Sequence, residues 1–93
     1  MNVVVFGATG MIGTRVAAEL ERRGHAVTAA TRAAGADITD ARSVASVAAG
    51  ADAVVSAVSA RGVSYTLADV ARALVEGLRE AGVRRLLVVG GAW

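Results

Sequence analysis

Three glycines that follow an apolar run at a spacing of three residues constrain the fold of this chain more than any other feature. The run is Asn2–Phe6, which is rich in β-branched residues, and the glycines are Gly7, Gly10 and Gly13. Such a run predicts a strand buried on both faces of a parallel sheet, and a helical pattern begins at the glycines. A strand, a glycine turn and a helix in this order are typical of a βαβ unit that binds a dinucleotide.

Each glycine has its own predicted task in the turn. Gly7 permits the sharp change of direction, Gly10 lets the backbone approach a pyrophosphate, and Gly13 lets helix and strand pack closely. The N-H groups at the start of the helix and its positive dipole end then favour the phosphates. The spacing is G-x-x-G-x-x-G and not the G-x-G-x-x-G of many dehydrogenases. The alternative interpretation is that the glycines only tighten a structural turn.

Apolar periodicity divides the rest of the chain into alternating strands and helices. Helices are predicted at 11–23, 41–48 and 66–81, and strands at 26–30, 52–57 and 85–89, with a very short strand at 36–38. Gly77 weakens the last helix by roughly 1 kcal/mol relative to Ala, which is tolerable if a close neighbour packs there. Right-handed crossovers arrange this order as a parallel sheet. We therefore predict an α/β fold: a Rossmann-like doubly wound parallel sheet of about four to five strands with helices on both faces, in one short domain over residues 1–93.

Composition argues against several other functions. All ten basic residues are Arg, they are scattered, and the net charge is only +2, so no nucleic-acid interface is expected. No uncharged stretch approaches the roughly 20 apolar residues that a membrane span needs. Cysteine is absent, which excludes disulfides and thiolate ligands, and we expect no metal site. These features, with no secretory n-region at the start, favour a cytoplasmic location.

The residues after the second predicted strand favour one nicotinamide dinucleotide over the other. NAD sites usually place a carboxylate about 20 residues beyond the glycine turn, where it binds the ribose 2'-hydroxyl. Here Thr31 and Arg32 occupy that place, and the next acidic residue is Asp37. A guanidinium can bind a 2'-phosphate with two hydrogen bonds. The sequence therefore favours NADP(H) over NAD(H), unless Arg32 is only a solvated charge at a strand end.

These segments resemble a known family, the atypical short-chain dehydrogenase/reductases of the NmrA-like and NAD(P)H-binding type, which include flavin (biliverdin) reductases. The resemblance covers the whole chain and rests on residues 7–13, 31–32, 36–40, 52–57 and 82–89. It implies a cofactor site that includes the glycine turn with Gly7 and Gly13, in which Thr9, Gly10, Met11 and Ile12 touch the phosphates. Arg32 would lie at the 2'-phosphate, Asp37 and Ile38 at the adenine, and Ala57, Val58 and Ser59 on the ribose and nicotinamide side. Arg61 in the following loop has a counterpart in some relatives.

Departures from the family leave the catalytic residue unknown. Family members are about twice as long, so the chain resembles only the N-terminal nucleotide-binding half. The Tyr-x-x-x-Lys motif is impossible without Lys, and Asp69 stands at the Lys position after Tyr65. His25 is expected to be structural. Three interpretations stay open: an oxidoreductase that transfers hydride to a small acceptor, a non-catalytic NADP(H)-binding sensor, or a truncated fragment without its substrate-binding half.

The last predicted strand also indicates self-association. No later segment is predicted to pair with its outer side, and residues 86–89 carry neither charge nor proline to block pairing. We therefore expect a homo-oligomer that forms through the C-terminal strand edge or through helix 66–81. The alternative is that Trp93 and the glycines before it fold back and cover the edge.

Overall fold

A parallel β-sheet lies at the centre of the protein. The computed structural model describes residues 1–31, 35–58 and 66–89. In these ranges the strands are β1 Asn2–Phe6, β2 Ala26–Ala30, β3 Ala53–Ser56 and β4 Leu86–Val88, and the helices are α1 Met11–Arg22, α2 Ala41–Ala48 and α3 Leu67–Ala81. The strand order is β2-β1-β3-β4, and every pair is parallel. The predicted Rossmann-like α/β sheet is confirmed, with four strands in the described residues.

The predicted short strand at 36–38 is wrong. Ala36 and Ile38 are buried, but they lie in the irregular segment before α2. The N-H group of Ala36 donates to the carbonyl of Thr31 at 3.0 Å, and that of Asp37 donates to a serine hydroxyl of α2 at 2.8 Å. Because these N-H groups bond within the loop and to α2, they do not pair with a neighbouring strand. The alternating apolar pattern comes from two side chains of a loop that point into the core.

Two hydrophobic clusters lie on opposite faces of the sheet. On one face, residues of α2 and α3 pack against alternate strand residues, which include Val4, Phe6 and Val54. On the other face, α1 packs through Val16 and Leu20 against the remaining strand residues, which include Val3, Val5 and Val55. Successive residues of a strand point to opposite faces, so β1 contributes to both clusters. Helices therefore cover both faces of the sheet, as predicted.

Side-chain caps fix the start of α2 and of α3. The carboxylate of Asp40 accepts from the N-H group of Arg42 at 3.0 Å. At the start of α3, the Asp69 N-H group donates to the Thr66 hydroxyl at 3.2 Å, and the Thr66 N-H group donates to the Asp69 carboxylate at 3.0 Å. Hydrogen bonding with Thr66 lowers the pKa of Asp69 below its usual value. These caps satisfy N-H groups that have no acceptor inside a helix. No helix in the described ranges is long and apolar enough to span a bilayer.

Gly77 marks the closest approach of α3 to α2. A Cβ atom at this position would lie 2.6 Å from the carbonyl oxygen of Ala41 and 2.7 Å from the Cβ atom of Val44. Val44 is fully buried in the core cluster that α2 and α3 form with the sheet, so it has little room to move. The close neighbour that would make a mid-helix glycine tolerable is therefore present.

We predict that Gly77→Ala lowers the free energy of unfolding by about 1–3 kcal/mol, the usual cost of overpacking a core. Alanine has the higher helix propensity, by up to about 1 kcal/mol, so propensity alone predicts the opposite sign. Urea unfolding followed by circular dichroism measures the change. Glu76→Ala, at an exposed position of the same helix, is the control and should change stability by less than about 0.5 kcal/mol. A Gly77→Ala protein as stable as the wild type would show that α2 can move away.

Candidate nucleotide-binding site

Most of the predicted cofactor residues lie at or near the carboxyl edge of the sheet. The strand register aligns the last residues of β1, β2 and β3, so Gly7, Thr31 and Ala57 follow at the same edge. The helix after β1 packs on one face of the sheet, whereas the two helices that flank β3 in the sequence pack on the other. The topological switch point of the sheet therefore lies between the ends of β1 and β3, and the crevice in which open α/β sheets bind their ligands is expected at such a point.

Gly7 brings the end of β1 against the end of β3. Its φ angle is +77°, in the left-handed region that favours glycine. A Cβ atom on Gly7 would lie 2.8 Å from the carbonyl oxygen of Ala57 and 3.0 Å from the backbone nitrogen of Val58. The Ala57 N-H group also donates to the Phe6 carbonyl at 2.9 Å. The structure thus joins three predicted site residues, Gly7, Ala57 and Val58, in one place.

Gly13 allows α1 to start directly against the end of β1. It is buried, and a Cβ atom there would overlap the carbonyl oxygen of Gly7. That carbonyl also accepts from the Gly10 N-H group at 3.1 Å, which closes the turn. The first and third glycines of the motif therefore have structural tasks that involve only the protein.

Gly10 is different, because the protein around it does not require a glycine. Its φ and ψ angles of −75° and 172° are ordinary extended values. It is exposed, and among the described residues a Cβ atom would meet only the Gly7 carbonyl oxygen, at 3.4 Å, an ordinary contact distance. Neither the backbone conformation nor packing against the described residues excludes a Cβ atom here. Open space over Gly10 fits the approach of a ligand to the backbone.

The start of α1 offers hydrogen-bond donors beside this open space. Gly10 is the N-cap of α1 and has no side chain to accept from the first N-H groups of the helix, and no acidic residue lies in the first turn. Met11 is 79% exposed, and Thr9 is exposed as well. The first N-H groups and the positive end of the helix dipole favour an anion. The residues present therefore fit the pyrophosphate of a dinucleotide.

Sequence reasoning missed Thr14. Its hydroxyl lies 2.7 Å from the carbonyl oxygen of Gly10 and 3.0 Å from that of Ala8. The available signal was a threonine four residues after Gly10, a spacing at which the side chain can donate to a carbonyl one helical turn earlier. The bond to Ala8 could not be read from this spacing.

The loop after β2 contains two predicted adenine neighbours with different surroundings. Ile38 is 8% exposed and belongs to the core cluster under α2 and α3. Asp37 is exposed, and its carboxylate accepts from the Thr39 N-H group at 2.9 Å and from the Thr39 hydroxyl at 2.6 Å. These bonds hold the loop in one conformation. The contact of Asp37 and Ile38 with adenine stays a prediction.

Several predicted residues lie outside the described ranges, namely Arg32, Ser59, Arg61, Tyr65 and Trp93. Thr31, directly before Arg32, is half-buried at the carboxyl edge. His25 lies at the other end of β2, where its backbone N-H group donates to the Leu20 carbonyl at 3.0 Å. Within residues 1–31, 35–58 and 66–89, no group of three or more acidic or His side chains is arranged to hold a metal.

An apolar groove of about 540 Å³ runs along α1 and is separate from the crevice at the sheet edge. It is lined by Ile12, Arg15, Val16, Glu19, Leu20 and Arg23. The Glu19 carboxylate accepts from Arg22 and Arg23, each at 2.7 Å, and these bonds lower the pKa of Glu19 to about 2. The groove shares only Ile12 with the candidate nucleotide site.

Comparison with known families agrees with this geometry. A family of proteins described as NAD(P)H-binding matches residues 7–92. The chain belongs to this NAD(P)H-binding family. The resemblance to NAD(P)H-binding short-chain dehydrogenase/reductases is confirmed at this level. No match was found among curated proteins.

Crystal structures of other proteins share the fold over nearly the whole chain. A protein from Burkholderia pseudomallei, provisionally described as exported, is 48% identical with a TM-score of 0.86, and the match covers 99% of this chain and 48% of that one. A protein from Bacteroides thetaiotaomicron, provisionally described as an epimerase, is 32% identical with a TM-score of 0.82, over 98% and 47% of the two chains. The chain thus spans about half the length of these two relatives.

A third comparison concerns the fold alone. UDP-glucose-4-epimerase from Stenotrophomonas maltophila, solved with bound NAD, is 23% identical with a TM-score of 0.79, over 99% of this chain and 37% of that one. The NAD(P)H-binding domain described above therefore has the same architecture as a domain of an NAD-containing protein.

We predict that Gly10→Val keeps the fold but weakens NAD(P)H binding at least about tenfold, because its side chain would fill the space that a pyrophosphate at this turn needs. Fluorescence titration with NADPH measures affinity, and circular dichroism measures folding. Gly13→Ala is the matched comparison and should unfold the protein, because its Cβ atom overlaps the Gly7 carbonyl oxygen. Wild-type affinity in a folded Gly10→Val protein would contradict the assignment of this glycine to the phosphates.

Proposed function

We propose that this chain is the NADP(H)-binding unit of an NmrA-like oxidoreductase that transfers hydride to a small acceptor. The observation that carries the proposal is Gly10: no described residue requires a glycine there, and it begins a helix whose first N-H groups have no side-chain cap, at the switch point of the sheet. In such proteins the cofactor supplies the hydride, and the protein binds and orients it.

The residues around the crevice divide the binding of the cofactor among three segments. The turn between β1 and α1 would hold the pyrophosphate through the N-H groups near Gly10. The loop after β2, which contains Asp37, would border the adenosine. Ala57 and Val58, in contact with Gly7 at the end of β3, would line the ribose and nicotinamide side.

The choice of NADP(H) over NAD(H) rests on the residues after β2. Thr31 lies at the carboxyl edge of the sheet, directly after β2, and Arg32 follows it in the sequence. The next acidic residue, Asp37, has its carboxylate engaged by both the N-H group and the hydroxyl of Thr39. Because the Asp37 carboxylate already accepts these bonds, they support Arg32, and not Asp37, as the residue that would meet the adenosine ribose. A guanidinium at that place favours a 2'-phosphate.

A non-catalytic NADP(H) sensor is the second candidate, because these 93 residues contain no Lys and cannot form Tyr-x-x-x-Lys. The two functions are separated by NADPH consumption with quinones and flavins, run beside a binding titration. Turnover supports the oxidoreductase, and binding alone supports the sensor. The absence of both binding and turnover would support a fragment that needs a substrate-binding half.

The cytoplasmic location also stays a prediction, since one relative is provisionally described as exported.

We also propose that two copies associate through the β4 edge. In the described residues β4 pairs with β3 on one side only, and Leu87 and Val88 are 63% and 60% exposed. Val75 on α3 is 51% exposed. An open strand edge with apolar side chains is a template for pairing with another strand, and a two-fold dimer covers both edges equally.

We predict that Arg32→Asp weakens NADP(H) binding by about 1.5–3 kcal/mol, the scale of hydrogen bonds to a charged group, and affects NAD(H) much less. Parallel titrations with NADPH and NADH measure the two affinities. Arg72→Asp, at an exposed position of α3, makes the same change of charge and should alter neither affinity. Equal losses for both cofactors would remove Arg32 from the 2'-phosphate site.

We predict that the wild type is a dimer at micromolar concentration and that Val88→Lys makes it a monomer, because charge on an edge strand opposes pairing. Sedimentation velocity measures the mass. Val75→Lys tests the other predicted surface, α3, and should leave the dimer intact. A monomeric wild type would contradict the proposal, and a dimer lost only in Val75→Lys would move the interface to the helix.

A further inference from the structure

Thr14 connects the first turn of α1 to the glycine turn. Its N-H group donates to the Gly10 carbonyl at 2.9 Å, and its hydroxyl lies 2.7 Å from the same oxygen. The hydroxyl also lies 3.0 Å from the carbonyl oxygen of Ala8. One hydroxyl thus lies within hydrogen-bond distance of two carbonyl oxygens of the turn.

The two carbonyl groups near the Thr14 hydroxyl differ in whether helix geometry explains the contact. Donation from threonine to the carbonyl four residues earlier is common inside helices and is explained by helix geometry alone. Ala8 lies six residues earlier and outside α1, so helix geometry does not explain this second contact. It ties the body of the turn to the helix.

The direction of these carbonyl groups matters for an anionic ligand. A peptide group attracts a phosphate through its N-H end and repels it through its C=O end. The Ala8 and Gly10 carbonyls both point toward the Thr14 hydroxyl, and the Gly10 carbonyl also accepts from the Thr14 N-H group as a backbone bond of α1. Ala8 is also held by its side chain, which is 8% exposed and packs in the cluster with Val5. The packing of Ala8 and the bonds of Thr14 therefore both hold the turn against the protein.

We propose that Thr14 is a positioning residue of the nucleotide site, whose hydroxyl holds the Ala8 and Gly10 carbonyls away from the pyrophosphate. Thr14 acts through the turn and not through the ligand. This inference rests on the proposed binding of NADP(H), and it adds a specific residue that makes the turn selective for an anion.

The test compares NADP⁺ affinity in three variants, measured by calorimetry at a temperature where each is folded. Thr14→Val keeps the shape of the side chain and removes the hydroxyl, and it should weaken binding about tenfold, the scale of one or two lost hydrogen bonds. Thr14→Ser keeps the hydroxyl and should bind within about threefold of the wild type. Gly77→Ala, which disturbs the distant contact of α2 with α3, should bind as the wild type does.

A second measurement follows the turn without ligand. Removal of the hydroxyl should accelerate hydrogen exchange of the Gly10 N-H group, which donates to Gly7 inside the turn. Thr14→Ser should exchange at the wild-type rate.

Three results would overturn the inference while leaving the proposed function in place. These are wild-type affinity in Thr14→Val, an equal loss in Thr14→Ser, and an equal loss in Gly77→Ala, which would make general stability the cause. A wild-type protein that does not bind NADP⁺ at all would overturn the proposed function and this inference together.

Discussion

The close approach of α1 to the end of β1 is the contact on which the rest of the structure depends. It exists because Gly13 has no Cβ atom, which would overlap the Gly7 carbonyl oxygen. This approach sets where α1 begins and makes Gly10 its N-cap. It also leaves Gly7 in the left-handed conformation in which it contacts Ala57 at the end of β3. One steric constraint thus joins the sheet, the helix start and the candidate site.

The elements that sequence could predict are those with a strong local pattern. The apolar run of β1 and the long stripe of α3 are visible in the order of residues, and both were predicted within a residue or two. The segment at 36–38 has the same alternation as a strand, but bonds to Thr31 and to α2 hold it as a loop. Such contacts depend on the tertiary fold, so no local pattern could separate the two outcomes.

The same limit applies to the candidate site. Three identical glycines predicted a nucleotide turn, and the structure separates their tasks into backbone conformation at Gly7, helix packing at Gly13 and open space at Gly10. Sequence could place Ala57 near this turn only through a family resemblance, because the contact joins residues 50 positions apart. Thr14 was missed for a related reason, since its bond to Ala8 requires the turn to fold back over the helix.

The proposed function separates cofactor binding from the hydride transfer that would follow it. The donors near Gly10, the loop at Asp37 and the contact of Gly7 with Ala57 all lie within this chain, and their positions are fixed by bonds and packing inside it. The two relatives with crystal structures extend to about twice its length. Under the proposed function, affinity for the nucleotide depends on the turn described here. Binding and turnover are therefore separate measurements for this chain: a titration tests the turn, and NADPH consumption tests hydride transfer.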